Sequence, residues 1–149
     1  MNLLEELSAE NKALQDEALS LLDPGNDRIQ ERARVLRELR IRFDAHHEVK
    51  ERNLYSFFSL EGYEEVVVEY RSRVHNVAVL LDEISDLPKE NSSTLEHTAE
   101  ALVLEIHRLA DWEKDVVFPQ ARLLIPQQNM EELGKRAEAE EHAFQQTRI

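Results

Sequence analysis

Apolar residues recur at three- and four-residue spacing along most of this chain, and the recurrence breaks only at a few clusters of Pro, Gly, Asn, Asp and Ser. That period is the signature of amphipathic helices. The first predicted helix covers about 2–22, with Leu4, Leu7, Leu14, Ala18 and Leu21 on one face. The stretch DPGND at 23–27 ends it, because Pro24 and Gly25 cannot continue a helix cheaply. Asp27 with Gln30 resembles a capping box and opens a second helix, 28–60, whose inward stripe is Leu36, Leu39, Phe43, Leu54 and Phe57. Gly62 marks the next turn. A third helix, 64–85, carries Val67, Tyr70, Val74, Val77, Leu81 and Ile84 on one face, although three consecutive valines at 66–68 are locally compatible with a strand. DLPKENSS at 86–93 reads as a loop, and Ser93 with Glu96 as a capping box for a fourth helix, 94–125. Its inward residues are Leu95, Ala99, Leu102, Ile106, Leu109 and Val116; Pro119 should bend or shorten it and Pro126 should end it. A short, strongly charged tail helix, 128–146, shows little apolar face.

Four long amphipathic helices joined by short loops imply an all-α chain, one domain over 1–149, arranged as an up-down-up-down four-helix bundle with a short C-terminal helix. Composition narrows the partners. With 31 acidic against 18 basic residues the formal charge is −13, so the surface repels phosphate backbones and anionic headgroups; nucleic acid and membrane are not expected as partners. The chain has no cysteine, hence no disulfide and no thiolate chemistry. MNLLEELSAE is acidic and amphipathic, unlike the basic start and apolar block of a signal peptide, and no apolar run reaches spanning length. The expected location is cytoplasmic.

The chemistry concentrates in FDAHHEVKERNLY, residues 43–55. At about 100° per residue from Phe43, Lys50 falls in the centre of the apolar stripe, His46 and His47 fall on either side of it, and Glu51 lies at its edge. A lone lysine there would cost several kcal/mol unless a carboxylate neutralised it, and Glu113 poses the matching problem on the fourth helix. The simplest solution is one buried Lys50–Glu113 pair helped by the Asn11 amide; the competing arrangement lays the lysine stem along the core with its ammonium reaching water. For His46 and His47 the plain expectation is a hydrogen-bonded imidazole at the core edge.

RFDAHHEVKERNLYSFF resembles the second-helix box of the hemerythrin, or HHE cation-binding, domains, and VLEIHRLADWEKDVVFPQAR the fourth-helix box. ELSAENKALQDEALSLL is similar to the first helix of that family, YRSRVHNVAVLLDEI to the third, and LIPQQNMEELGKRAEAEE to the tail that often follows. The resemblance covers nearly the whole chain. It implies a di-iron site enclosed by histidines from all four helices and carboxylates from the second and fourth. Carried over position by position, that site becomes Asn11, His46, Lys50, Val74, Leu109 and Glu113, of which only His46 and Glu113 are ligand types. A second alignment keeps His47 with Glu51 and His107 with Asp111, and yields the metal set His46, His47, Glu51, His75 and Glu113. His107 then lies opposite Leu109 on its helix and His75 at best on an edge.

Two functional expectations follow from the resemblance. In one, the site is degenerate, no cofactor is held, and the domain is a metal-free interaction or regulatory module that forms a homodimer or binds an unknown protein. In the other, iron, mononuclear or dinuclear, is retained and the domain binds or senses oxygen, nitric oxide or iron. Neither is an enzyme: there is no nucleophile–base pair, no Gly-rich phosphate loop and no acid–base dyad outside this layer.

Overall fold

A computed structural model describes residues 1–22, 29–87 and 92–147. The predicted turn at 23–27, Asp27 of the Asp27–Gln30 cap and residues 88–91 of the 86–93 loop lie outside those residues. Every described element is helical: α1 (Leu3–Leu19) with a 3₁₀ extension (Ser20–Leu22), α2 (Ile29–Lys50), a π-helical segment (Glu51–Tyr55), α3 (Ser56–Leu60), α4 (Glu64–Asp86), α5 (Ser92–Trp112), a second π-helical segment (Glu113–Val117), α6 (Phe118–Leu124) and α7 (Gln127–Thr147). The three valines at 66–68 are helical. Among the described residues no helix is long and apolar enough to cross a membrane.

Local chemistry accounts for the ends. Asn2 caps α1: its side chain accepts from the Glu5 amide at 2.9 Å, and the Glu5 side chain accepts in return from the Asn2 amide. Gly62, at φ +84°, supplies the left-handed turn between α3 and α4. Pro126 forces the residue before it into an extended conformation, so Ile125 stops α6. Ser93 sits within the first turn of α5, which begins at Ser92, rather than at its cap.

Helix α1 packs against α2, α5 and α7; α2 also meets α4 and α7; α4 meets α5. The shared core holds Leu3, Leu7, Leu39, Leu54, Phe58, Tyr70, Leu81 and Leu102, all essentially inaccessible. Two departures from the expected stripe have one cause. Phe58, not Phe57, is fully buried, and Val117 is buried while Val116 is 39% exposed. Each follows a π-helical segment, closed by Ser56 N–H to Glu51 O and by Phe118 N–H to Glu113 O. One extra residue in a turn rotates everything after it by about 100° relative to an uninterrupted helix. Val117→Ala is therefore expected to cost roughly 2 kcal/mol and Val116→Ala next to nothing, measured by urea denaturation; equal costs would mean that the extra residue is absent.

The tail corrects the sequence reading. It is a 21-residue helix that buries Met130, Leu133 and Ala137. Few large apolar residues suffice because Gly134 lets the two backbones approach: a Cβ there would stand 2.3 Å from the Met1 carbonyl oxygen.

Candidate functional site

The helices converge on a polar layer inside the apolar core. Lys50 is the last residue of α2 and Glu113 the first of the second π-helical segment; Asn11 comes from mid-α1. Lys50 Nζ donates to Glu113 Oε1 at 2.7 Å and to Asn11 Oδ1 at 3.2 Å, and Asn11 Nδ2 donates to the same Glu113 oxygen at 3.1 Å. Tyr55 OH donates to the other carboxylate oxygen at 2.5 Å. Lys50 is 2% exposed and Glu113 is wholly buried, so the ammonium does not reach water. The carboxylate thus has three donors and one counter-ion, which is how a buried ion pair offsets desolvation.

A continuous helix gives Tyr55 no place in this layer; it is buried at the end of the π-helical segment 51–55. Its ring stacks on Tyr70 at 3.7 Å between centroids. Tyr70 OH lies 2.8 Å from His47 Nδ1. Burial and the nearby Glu113 hold both phenols well above their ordinary range, and burial lowers His47 despite Glu51. The two groups form one hydrogen bond at the edge of the layer.

His46, wholly buried, presents its two nitrogens to different neighbours. Nε2 lies 2.7 Å from Asn11 Oδ1. That oxygen accepts from Lys50, and the Asn11 amide group is committed to Glu113, so Nε2 carries the proton and Nδ1 is left with a lone pair. Nδ1 has no hydrogen-bond partner; it faces Glu141 Oε2 of α7 at 3.5 Å, which also has none. Glu10 Oε2 of α1 is a further buried atom without a partner. Burial and the Lys50 charge keep His46 well below its usual range, while burial, with Glu10 beside it, raises Glu141 to about 7.

Of the residues aligned with metal positions, the structure joins Asn11, His46, Lys50 and Glu113; Val74 and Leu109 pack with apolar neighbours. These residues do not fit a pair of iron ions. A dinuclear centre needs several neutral imidazoles and anionic carboxylates, whereas this layer offers one imidazole and one carboxylate, and the carboxylate is held by an ammonium. The second alignment fails on geometry. His47 is turned to Tyr70, Glu51 is taken by Arg71 at 3.2 Å, and His75 is exposed, as are His107 and Asp111. Both side chains are thus committed to α4, His47 to Tyr70 and Glu51 to Arg71. Among the described residues the compact group of potential metal ligands is instead Glu10, His46 and Glu141.

The opposed shifts of Glu141 and His46 give a measurable pH signature. Between 4.5 and about 7 the folded chain holds a proton on Glu141 that the unfolded chain has lost, so this contribution falls as pH rises through that window. His46 works the other way, since below 6.5 only the unfolded chain protonates it. Subtracting a variant isolates Glu141. In the presence of a chelator, Glu141→Gln should match the wild type near pH 4.5 and exceed it by on the order of 2 kcal/mol at pH 8 in urea denaturation. A pH-independent difference would contradict the burial of this carboxyl.

Comparison with protein-family models, curated proteins and solved structures returns no match for this chain.

Proposed function

We propose that this chain is a hemerythrin-like up-down-up-down four-helix bundle whose di-iron layer has become a hydrogen-bonded ion-pair layer, and that it acts as an interaction or regulatory module rather than an oxygen carrier. The observation that carries this reading is the wholly buried Lys50–Glu113 pair, 2.7 Å apart, at the two positions where the family resemblance expects carboxylate ligands. The contacts of α1 with α2, α2 with α4, α4 with α5 and α5 with α1 support the four-helix arrangement. Two ions at this layer would have to displace the lysine and leave its charge beside them.

A module of this kind acts through its surface. The charge of −13 favours a basic protein partner, and a homodimer is the other arrangement compatible with the reading. The test is iron content per chain after expression in iron-supplemented cells, compared with that of Glu141→Gln, a variant outside the layer. No iron pair is expected in either protein. Two irons per chain in both, with Lys50 displaced, would overturn the proposal.

A further inference from the structure

We propose that Glu10, His46 and Glu141 form a mononuclear site for a first-row divalent cation of the zinc type, distinct from the Lys50–Glu113 layer and built by α1, α2 and α7. One ligand atom from each residue lies within 4.8 Å of the other two. In a tetrahedral site with ligands about 2.1 Å from the ion, neighbouring donors stand about 3.4 Å apart. The His46–Glu141 separation of 3.5 Å already meets that spacing. The rest of the contraction falls to Glu10, a partly exposed side chain with three rotatable bonds.

The second observation is the orphaned nitrogen. His46 is 0% exposed, yet its Nδ1 makes no hydrogen bond, and neither do Oε2 of Glu141, which faces it, and Oε2 of Glu10. Buried polar groups without partners are rare, and one on each of three residues whose ligand atoms lie within 4.8 Å of one another marks the place of an unseen partner. A hydrogen-bond donor could serve one of them; a cation serves all three. The outer bonds are also those of a ligand histidine. Asn11 Oδ1 holds Nε2–H, which fixes the ring and its tautomer and leaves the Nδ1 lone pair for the ion.

Charge favours the same identity. Two carboxylates neutralise a dication in a dry setting, and an imidazole selects against magnesium and calcium. The lysine does not veto the ion, because Lys50 lies on the Nε2 side of the ring and its charge is matched by Glu113. Three protein ligands leave one position for water or for a donor from a partner. The bound ion would tie α7 to α1 and α2, so occupancy would govern how firmly the C-terminal helix is docked. Nothing in this depends on whether the lysine layer once held iron.

The test is titration of chelator-treated full-length chain with Zn²⁺ by calorimetry and with Co²⁺ by visible absorption. One ion per chain is expected, with Co²⁺ bands of a low-coordinate N/O site and a rise in Tm. In ¹⁵N NMR, His46 Nδ1 should shift on Zn²⁺ addition while Nε2 keeps its proton. Loss of an outer-shell partner weakens metal binding about 10–100-fold, so Glu10→Gln with Glu141→Gln should weaken it by at least about 100-fold. Lys50→Met with Glu113→Gln should retain it. Absence of uptake by the wild type overturns this site and leaves the reading of the lysine layer standing. Uptake that survives Glu10→Gln with Glu141→Gln but is lost in Glu113→Gln places the ion in the lysine layer and overturns both.

Discussion

Lys50→Ala should cost this protein about 3–5 kcal/mol of unfolding free energy, the largest loss expected from any single truncation in the polar layer. The reason is what remains rather than what is removed. Without the ammonium, Glu113 keeps the Asn11 amide and the Tyr55 hydroxyl but has no counter-ion, and it is wholly buried. An uncompensated charge in so poor a dielectric costs free energy. Lys50→Met with Glu113→Gln is the informative partner. Methionine retains the apolar stem, and the glutamine oxygen can still accept from Tyr55. Replacing both members of a buried pair is often close to neutral, so a loss below about 1.5 kcal/mol is expected. Urea denaturation of the two variants and of Glu113→Gln completes the cycle. If Lys50→Ala and the double variant lose equally, the two groups are not coupled and the layer is only polar filling.

Gly134→Ala should destabilise by about 1–3 kcal/mol, the cost typical of overpacking, although helix propensity alone would favour it by about 1 kcal/mol. The added Cβ would meet the Met1 carbonyl oxygen at 2.3 Å and the Asn2 carbonyl carbon at 2.7 Å. These are backbone atoms beside the Asn2–Glu5 capping box, so they cannot turn aside without loosening the start of α1. The helix that must move is α7, which carries Glu141. Hydrogen exchange should therefore quicken along α7 and at the first turn of α1 while α4 and α5 stay protected. A more stable Gly134→Ala protein with unchanged exchange would mean that α7 stands off from α1.

Much of this architecture is legible in the chain itself. Leu4, Leu7, Leu14, Ala18 and Leu21 are all buried, as the three-four spacing requires. Gly62 and Pro126 end helices for reasons that belong to single residues. The stripe also shows that Lys50 and Glu113 each point inward, and the desolvation cost then asks for a partner. The failures are equally specific. A constant period places Phe57 and Val116 inward, one position before the residues that are fully buried, Phe58 and Val117. The hydroxyl of Tyr55 has no polar role that a constant helical period can show, and the tail reads as a charged helix with little apolar face. Nothing in the sequence distinguishes Glu10 and Glu141 among its 31 acidic residues.

The sequence by itself determined the number and order of the helices, their inward faces and the need to neutralise a buried lysine, because these depend on local hydrogen bonding and on the cost of placing one side chain away from water. Only the tertiary structure decided the two π-helical turns, the close seat of α7 on α1 and the meeting of Glu10 with His46 and Glu141. An extra residue in a turn is tolerated when Tyr55 gains Glu113 across the core, and that gain is invisible to a periodicity within one helix. The same holds for His46: its two nitrogens acquire different roles only because Asn11 lies on one side of the ring and a carboxyl from the far end of the chain on the other.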